Sequence, residues 1–121
     1  MRENAYHQRA GVLLRGLGMQ PYRRGYAYLA CAIALTAEGI AERGKLPEKL
    51  YPAVAERCGA TPAAVERTVR NAIWEIWREG DPAARKALFS GGTVLGRKIP
   101  SSAAFVRILA QSLLRTWEQE S

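Results

Sequence analysis

Four side chains at close spacing could do recognition chemistry: Glu66, Arg67, Arg70 and Asn71, in the stretch YPAVAERCGATPAAVERTVRN from Tyr51 to Asn71. An arginine guanidinium is a planar fork that matches O6 and N7 of guanine. A glutamate accepts from N4 of cytosine, and an asparagine pairs with adenine. Lysines and arginines elsewhere can anchor phosphates, which orient a protein on a duplex without reading it. Base reading requires that these side chains share the outer face of one helix, and that a second element hold the helix at an angle. The same stretch supplies both. A short helix ends at Cys58-Gly59, where glycine tolerates the positive φ of a tight turn. Thr61 can cap the next helix with its hydroxyl, and Pro62 suits the first helical position because no donor is wasted there. Ala55 is small where two helices must approach, and Val54 and Val65 can pack across the turn. The spacing predicts a helix-turn-helix over about 51–79 that can place its second helix in the DNA major groove.

That second helix is expected from Pro62 to about Glu79. Val65, Val69, Ala72, Ile73 and Ile76 form one stripe. At about 100° per residue, Ala63, Arg67, Arg70, Asn71, Trp74 and Arg78 gather opposite it. Any surface helix of a basic protein shows arginines, so the face alone would fit an ordinary solvated surface. Coupled to the glycine turn and the short helix before it, DNA contact is the better reading. Trp74 falls on the polar side. Cover by another helix or by the Ser90 to Pro100 loop is preferred for it over a protein contact, and Trp77 is expected at the edge of the core.

Around this motif the periodicity predicts an all-α domain of six helices with no convincing strand. The first spans roughly Asn4 to Leu17, with Val12, Leu13 and Leu17 on one side and Gly18 at its end. The second starts at Gln20-Pro21 and continues to about Ile40, with Tyr22, Tyr26, Leu29, Ile33 and Ile40 on its face. Pro47 and Pro52 bracket the entry to the short third helix. Gly80 ends the fourth, and Asp81-Pro82 opens a fifth that closes near Phe89. Ser90 to Pro100 reads as a Gly-rich basic loop, with room for a β-turn or short hairpin. Ser101 or Ser102 caps the last helix, which buries Phe105, Ile108, Leu109 and Leu113.

Composition narrows the function. A chain of 121 residues makes one domain and one core, and a hydrophobic share of 48% excludes general disorder. Lys and Arg number 18 against 11 Asp and Glu, a formal charge of +7 that favours a polyanionic partner. Cys31 and Cys58 make no disulfide framework and are read as buried small hydrophobes in a reducing compartment. Zinc needs a fourfold Cys/His set, and the chain adds only His7 to its two cysteines. The loop FSGGTVLGRKIP lacks the GxxxxGK[ST] spacing of a nucleotide-hydrolysing phosphate loop. Its Arg97-Lys98 pair reads equally as a DNA-backbone clamp or a solvated turn. Acidic residues lie scattered, with no pair suited to acid–base work. No enzyme, cofactor or metal is expected, and no small-molecule substrate. The polar N-terminus shows no signal peptide, and the longest apolar run, Ala27 to Ala37, is too short for a bilayer. No membrane partner and a cytoplasmic location follow.

The order of segments resembles a known family. GYAYL at Gly25–Leu29, LYPAVAERCGATPAAVERTVRNAIWEIW at Leu50–Trp77, ALF at Ala87–Phe89 and the Pro100-Ser101-Ser102 stretch before Phe105 are similar to the C-terminal effector domain of the sporulation-initiation response regulators, the stage-zero sporulation protein A family of spore-forming Firmicutes. The likeness runs from about Val12 to Leu114. It implies a six-helix domain that binds double-stranded DNA at a TGNCGAA-type box, often as a homodimer on tandem sites. It implies that Arg67 reads guanine, that Glu66 helps read the adjacent pair, and that Arg70 supports DNA contact with Asn71 beside it. Thr61 and Arg97-Lys98 become phosphate contacts, with Ser101 completing that set. The chain departs from the family pattern at Ala64 and Asn71, where the family has Arg and His, and at Trp74, where it has a charged residue. The family also joins this domain to a phosphoaccepting receiver, and none is expected within this sequence. The rival reading is a helical interaction module that binds another regulator, with Trp74 at the contact.

Overall fold

The computed structural model describes residues 2–89 and 99–120. Among them the architecture is all-α: α1 (Arg2–Gly16), α2 (Arg24–Glu38), a π-turn (Gly39–Arg43), α3 (Leu50–Cys58), α4 (Pro62–Glu79), α5 (Pro82–Phe89) and α6 (Ser102–Glu120). The loop expected over Ser90 to Pro100 lies outside the described residues except for Ile99 and Pro100.

The second helix is the centre around which the others are arranged. α1, α3, α4 and α6 all pack on it. Its sequence explains why. Leu29, Ala30, Cys31, Ala32, Ile33 and Ala34 are all buried, so the helix is covered on every side. The run of alanines lets several helices approach one axis. Gly25 takes this furthest, because a Cβ there would lie 2.5 Å from the Cβ of Ala72 on α4. α4 thus leans on α2 at a point where only the Ala72 methyl separates the backbones.

The remaining core is built from larger groups. Leu14, Leu17, Leu29, Ile33, Ile73, Phe105, Leu109 and Leu113 are almost wholly buried. Each such side chain contributes about 1.5–3 kcal/mol on burial. Phe105 meets Phe89 at 5.5 Å between ring centroids and Trp77 at 6.3 Å, which ties α4, α5 and α6 together. Arg85 donates to the Trp77 carbonyl and lies over its ring at 5.4 Å, so α5 folds back on the end of α4. The backbone N–H of Asp81 donates to the Leu17 carbonyl at 2.9 Å and joins the same corner to α1.

Several sequence expectations need correcting. Val12 is 59% exposed, and α1 instead buries Tyr6, Ala10 and Leu14, with Leu17 just beyond it. On a helical wheel Val12 falls roughly opposite that set, about 200° away. Tyr22 is 79% exposed because α2 begins only at Arg24; the chain from Met19 to Arg23 turns first, and Gln20-Pro21 opens no helix. The helical path does reach Ile40, but as a π-turn closed by the left-handed Gly44. Cys31 is buried as expected, whereas Cys58 is half-buried beside the turn. On α6, Ile108 is half-buried, and Val106 and Ala110 join the core.

The α3–α4 turn follows the sequence closely. Gly59 adopts φ 67° and ψ 40°, and the N–H of Ala60 donates to the Ala55 carbonyl at 2.9 Å. A Cβ at Gly59 would meet nothing within 4 Å. Any cost of substitution is therefore conformational. Gly59→Ala should lower stability by about 1–2 kcal/mol, and Gly59→Asn by less, because asparagine tolerates the left-handed region. Urea unfolding measures both, and equal losses would count against a backbone origin.

Candidate nucleic-acid interface

Thr61 sets the position of α4. Its backbone is extended, and its Oγ1 accepts from the Ala64 N–H at 3.2 Å, with Pro62 at the first helical position. The cap satisfies one N–H that the helix cannot, and leaves the hydroxyl hydrogen available as a donor. Thr61→Ala should cost about 1 kcal/mol of stability, while Thr61→Ser keeps the cap and most of the stability. Thermal unfolding of the two variants separates these outcomes.

Behind the cap, Val65, Val69, Ala72, Ile73 and Ile76 are buried against the body of the domain. The opposite side is open. Arg67, Asn71, Trp74 and Arg78 are all exposed. Their spacing of four, three and four residues makes one straight stripe along the helix. Arg67 makes no hydrogen bond or ion pair among the described residues. Its fork of donors is free for an external acceptor.

Glu66 and Arg70 flank this stripe one turn apart. Arg70 Nη1 lies 3.3 Å from Glu66 Oε1, with both side chains more than half exposed. An exposed i,i+4 pair of this kind contributes only about 0.3–0.5 kcal/mol. Its use is orientation: each side chain limits where the other can point. At the far end of α4, Arg23 Nη1 lies 3.4 Å from Glu75 Oε2 and links the chain before α2 to this helix.

A third element reaches the same side. Tyr51, at the start of α3, lines one groove with Ala103 in the first turn of α6, and lies within electrostatic reach of Glu66 and Arg70. Burial raises the Tyr51 hydroxyl above its ordinary pKa; the Ser102 hydroxyl lowers it, Glu66 raises it and Arg70 lowers it. Next to Ser102, the Oγ of Ser101 accepts from the Ala104 N–H at 3.1 Å and caps α6. The beginning of α3 therefore lies within electrostatic reach of the Glu66–Arg70 pair.

Of the residues singled out by the sequence, Thr61, Glu66, Arg67, Arg70 and Asn71 stand on α4 or its cap, and all are exposed. Ser101 is exposed at the start of α6. Arg97 and Lys98 lie outside the described residues. Trp74 is 51% exposed, so the preferred expectation that it is covered does not hold. Trp77 sits at the core edge as expected, with its Nε1 buried and unpartnered. Sequence reasoning missed Tyr51 and Ser102. Only a polar-tipped aromatic at a helix start hinted at the first, and nothing local joins the two across half the chain. Among the described residues, no group of three or more His, Cys, Asp or Glu could hold a metal ion, and no helix is long and apolar enough to cross a membrane.

A short helix, a left-handed glycine turn and a capped second helix with a cationic outer face fit the helix-turn-helix arrangement of DNA-binding domains. The family described as "Sporulation initiation factor Spo0A C terminal" matches residues 11–113. The chain belongs to this family and is a DNA-binding effector domain of the sporulation-regulator type. The family is one of regulatory domains rather than catalytic ones.

Proposed function

We propose that this chain is a single helical unit that binds double-stranded DNA sequence-specifically as a transcriptional regulator, with α4 in the major groove. The observation that carries the reading is Arg67: exposed, without a hydrogen-bond or ion-pair partner among the described residues, and set between Glu66 and Arg70 on a helix capped by Thr61. Arg67 and Glu66 read bases, and Arg70 and Asn71 assist. Thr61, Ser101, Arg97 and Lys98 contact phosphate. The domain acts without catalysis, metal, cofactor or small-molecule substrate. It works in the cytoplasm, on the nucleoid when bound, and occupies tandem boxes as a homodimer.

Fluorescence anisotropy with a TGNCGAA-type duplex and a scrambled duplex, over a salt series, tests this. Preference for the box together with a steep fall of affinity with salt is expected, because neutralised phosphates release counterions. No preference and a shallow slope would overturn the reading. The half-exposed Trp74 favours a second one, a contact with another regulator, since aromatic groups are enriched at protein interfaces. Under that reading Trp74→Ala abolishes partner binding and leaves DNA affinity untouched.

A further inference from the structure

A groove of about 400 Å³ lies between the π-turn–α3 connection and the first turns of α6. That volume is within the range of sites for small organic ligands, roughly 300–1,000 Å³. Its walls are mainly apolar, with Leu46, Leu50 and Val106 among them, and Leu46 is 47% exposed. Thr36 of α2 also lines it. The Thr36 side chain is only 2% exposed, and its hydroxyl is buried with no hydrogen-bond partner. A threonine inside a helix normally returns its hydroxyl to the carbonyl four residues earlier. Here that bond is not made, so a residue that lines the groove carries a buried, unsatisfied donor that a small movement of its side chain would present to a ligand.

Three more lining groups define what could satisfy it. Lys49 and Arg107 are exposed cations with no hydrogen bond or ion pair among the described residues. Together with the Thr36 hydroxyl they call for an anionic oxygen. Glu48 lines the same groove and disfavours a second negative charge on the ligand. The apolar walls call for a hydrocarbon body.

We propose that this groove binds a small apolar monocarboxylate, and that its occupancy is felt at the DNA-binding face through Tyr51. Tyr51 lines the groove together with Ala103 of α6, and it stands on α3, which packs against α4. A ligand that displaces the Tyr51 ring shifts the start of α6 and the orientation of both flanking charges. The binding half of the proposal stands on the groove alone, and the coupling half rests on the DNA-binding reading above.

Octanoate and its neutral analogue octanol are the probes, titrated into the full chain and followed by two-dimensional ¹⁵N NMR. Octanoate should give saturable shifts at residues 36, 50 and 106. Affinity should be about tenfold weaker for octanol and for Arg107→Glu, and about threefold weaker for Thr36→Val, which keeps the shape and removes the donor. Arg107 is exposed, so that variant should keep the native circular dichroism spectrum. Equal binding of octanol, equal binding by Arg107→Glu, or shifts spread away from the groove would each overturn the site. Saturating octanoate should also change affinity for the box duplex by about threefold in the parent chain and not in Tyr51→Phe. An unchanged DNA affinity with octanoate bound overturns the coupling. Absence of box preference in either state overturns the DNA reading and leaves the octanoate result standing.

Discussion

Arg67→Ala lowers affinity for a TGNCGAA-type duplex by about 1–3 kcal/mol, roughly 5–150-fold, and flattens the preference at one guanine. The size follows from what the side chain is doing. Arg67 is exposed and makes no hydrogen bond or ion pair among the described residues, so its removal orphans no partner there. Folding stability should stay within about 0.5 kcal/mol of the parent, which separates a recognition defect from a folding one. Arg67→Lys is a sharper probe. It keeps the positive charge but replaces a planar fork by a point charge, so binding to random DNA persists while the box preference falls. Lys98→Ala provides the contrast. As a phosphate contact it should weaken box and scrambled DNA alike and reduce the salt slope by about one. Anisotropy titrations of each variant on both duplexes make the comparison. Equal losses on both duplexes for Arg67→Ala would sink the base-reading role.

The recognition helix was the most legible element because its punctuation is local. Thr61-Pro62 and Gly80 bound α4 where the sequence places them, and the apolar stripe from Val65 to Ile76 is the buried one. Local chemistry misled at the second helix. Gln20-Pro21 looks like a helix start, yet the chain turns until Arg24 and leaves Tyr22 in solvent. Proline at a first helical position and proline in a turn have the same φ, and only the packing beyond distinguishes them. At the candidate site, periodicity found the outer face and the i,i+4 spacing of Glu66 and Arg70. The order of importance among those residues came from the family resemblance, since a wheel treats all outward arginines alike. The approach of Tyr51 to Ser102 depends on how α3 and α6 meet, a long-range fact that no local pattern encodes. The same holds for Gly25. In sequence it is a helix-weakening residue near a helix start, and its reason becomes visible only when Ala72 is placed against it.

Gly25→Ala should destabilise the domain by about 1–3 kcal/mol, against the usual direction for such a change. Inside a helix, alanine is normally favoured over glycine by up to about 1 kcal/mol. Here the new Cβ would lie 2.5 Å from the Ala72 Cβ, 3.4 Å from Met19 Cε and 3.5 Å from the Thr68 carbonyl oxygen. Carbon atoms pack at about 3.5–4.0 Å, so the first contact is deeply repulsive. Met19 can move its terminal methyl, but the Ala72 Cβ is fixed to the backbone of α4. Relief therefore requires α4 to shift away from α2, and Arg67, Glu66 and Arg70 shift with it. Gly25→Ala should for that reason weaken box binding, although residue 25 is buried under α4 and faces no DNA. The double variant Gly25→Ala with Ala72→Gly moves the methyl from one helix to the other. The propensity terms nearly cancel, the clash disappears, and both stability and box affinity should return close to the parent, a coupling of about 1–3 kcal/mol in the mutant cycle. Urea unfolding and anisotropy on the four proteins measure it. If the two single losses merely add, then the close approach of α2 and α4 is not what holds the recognition helix at its working angle.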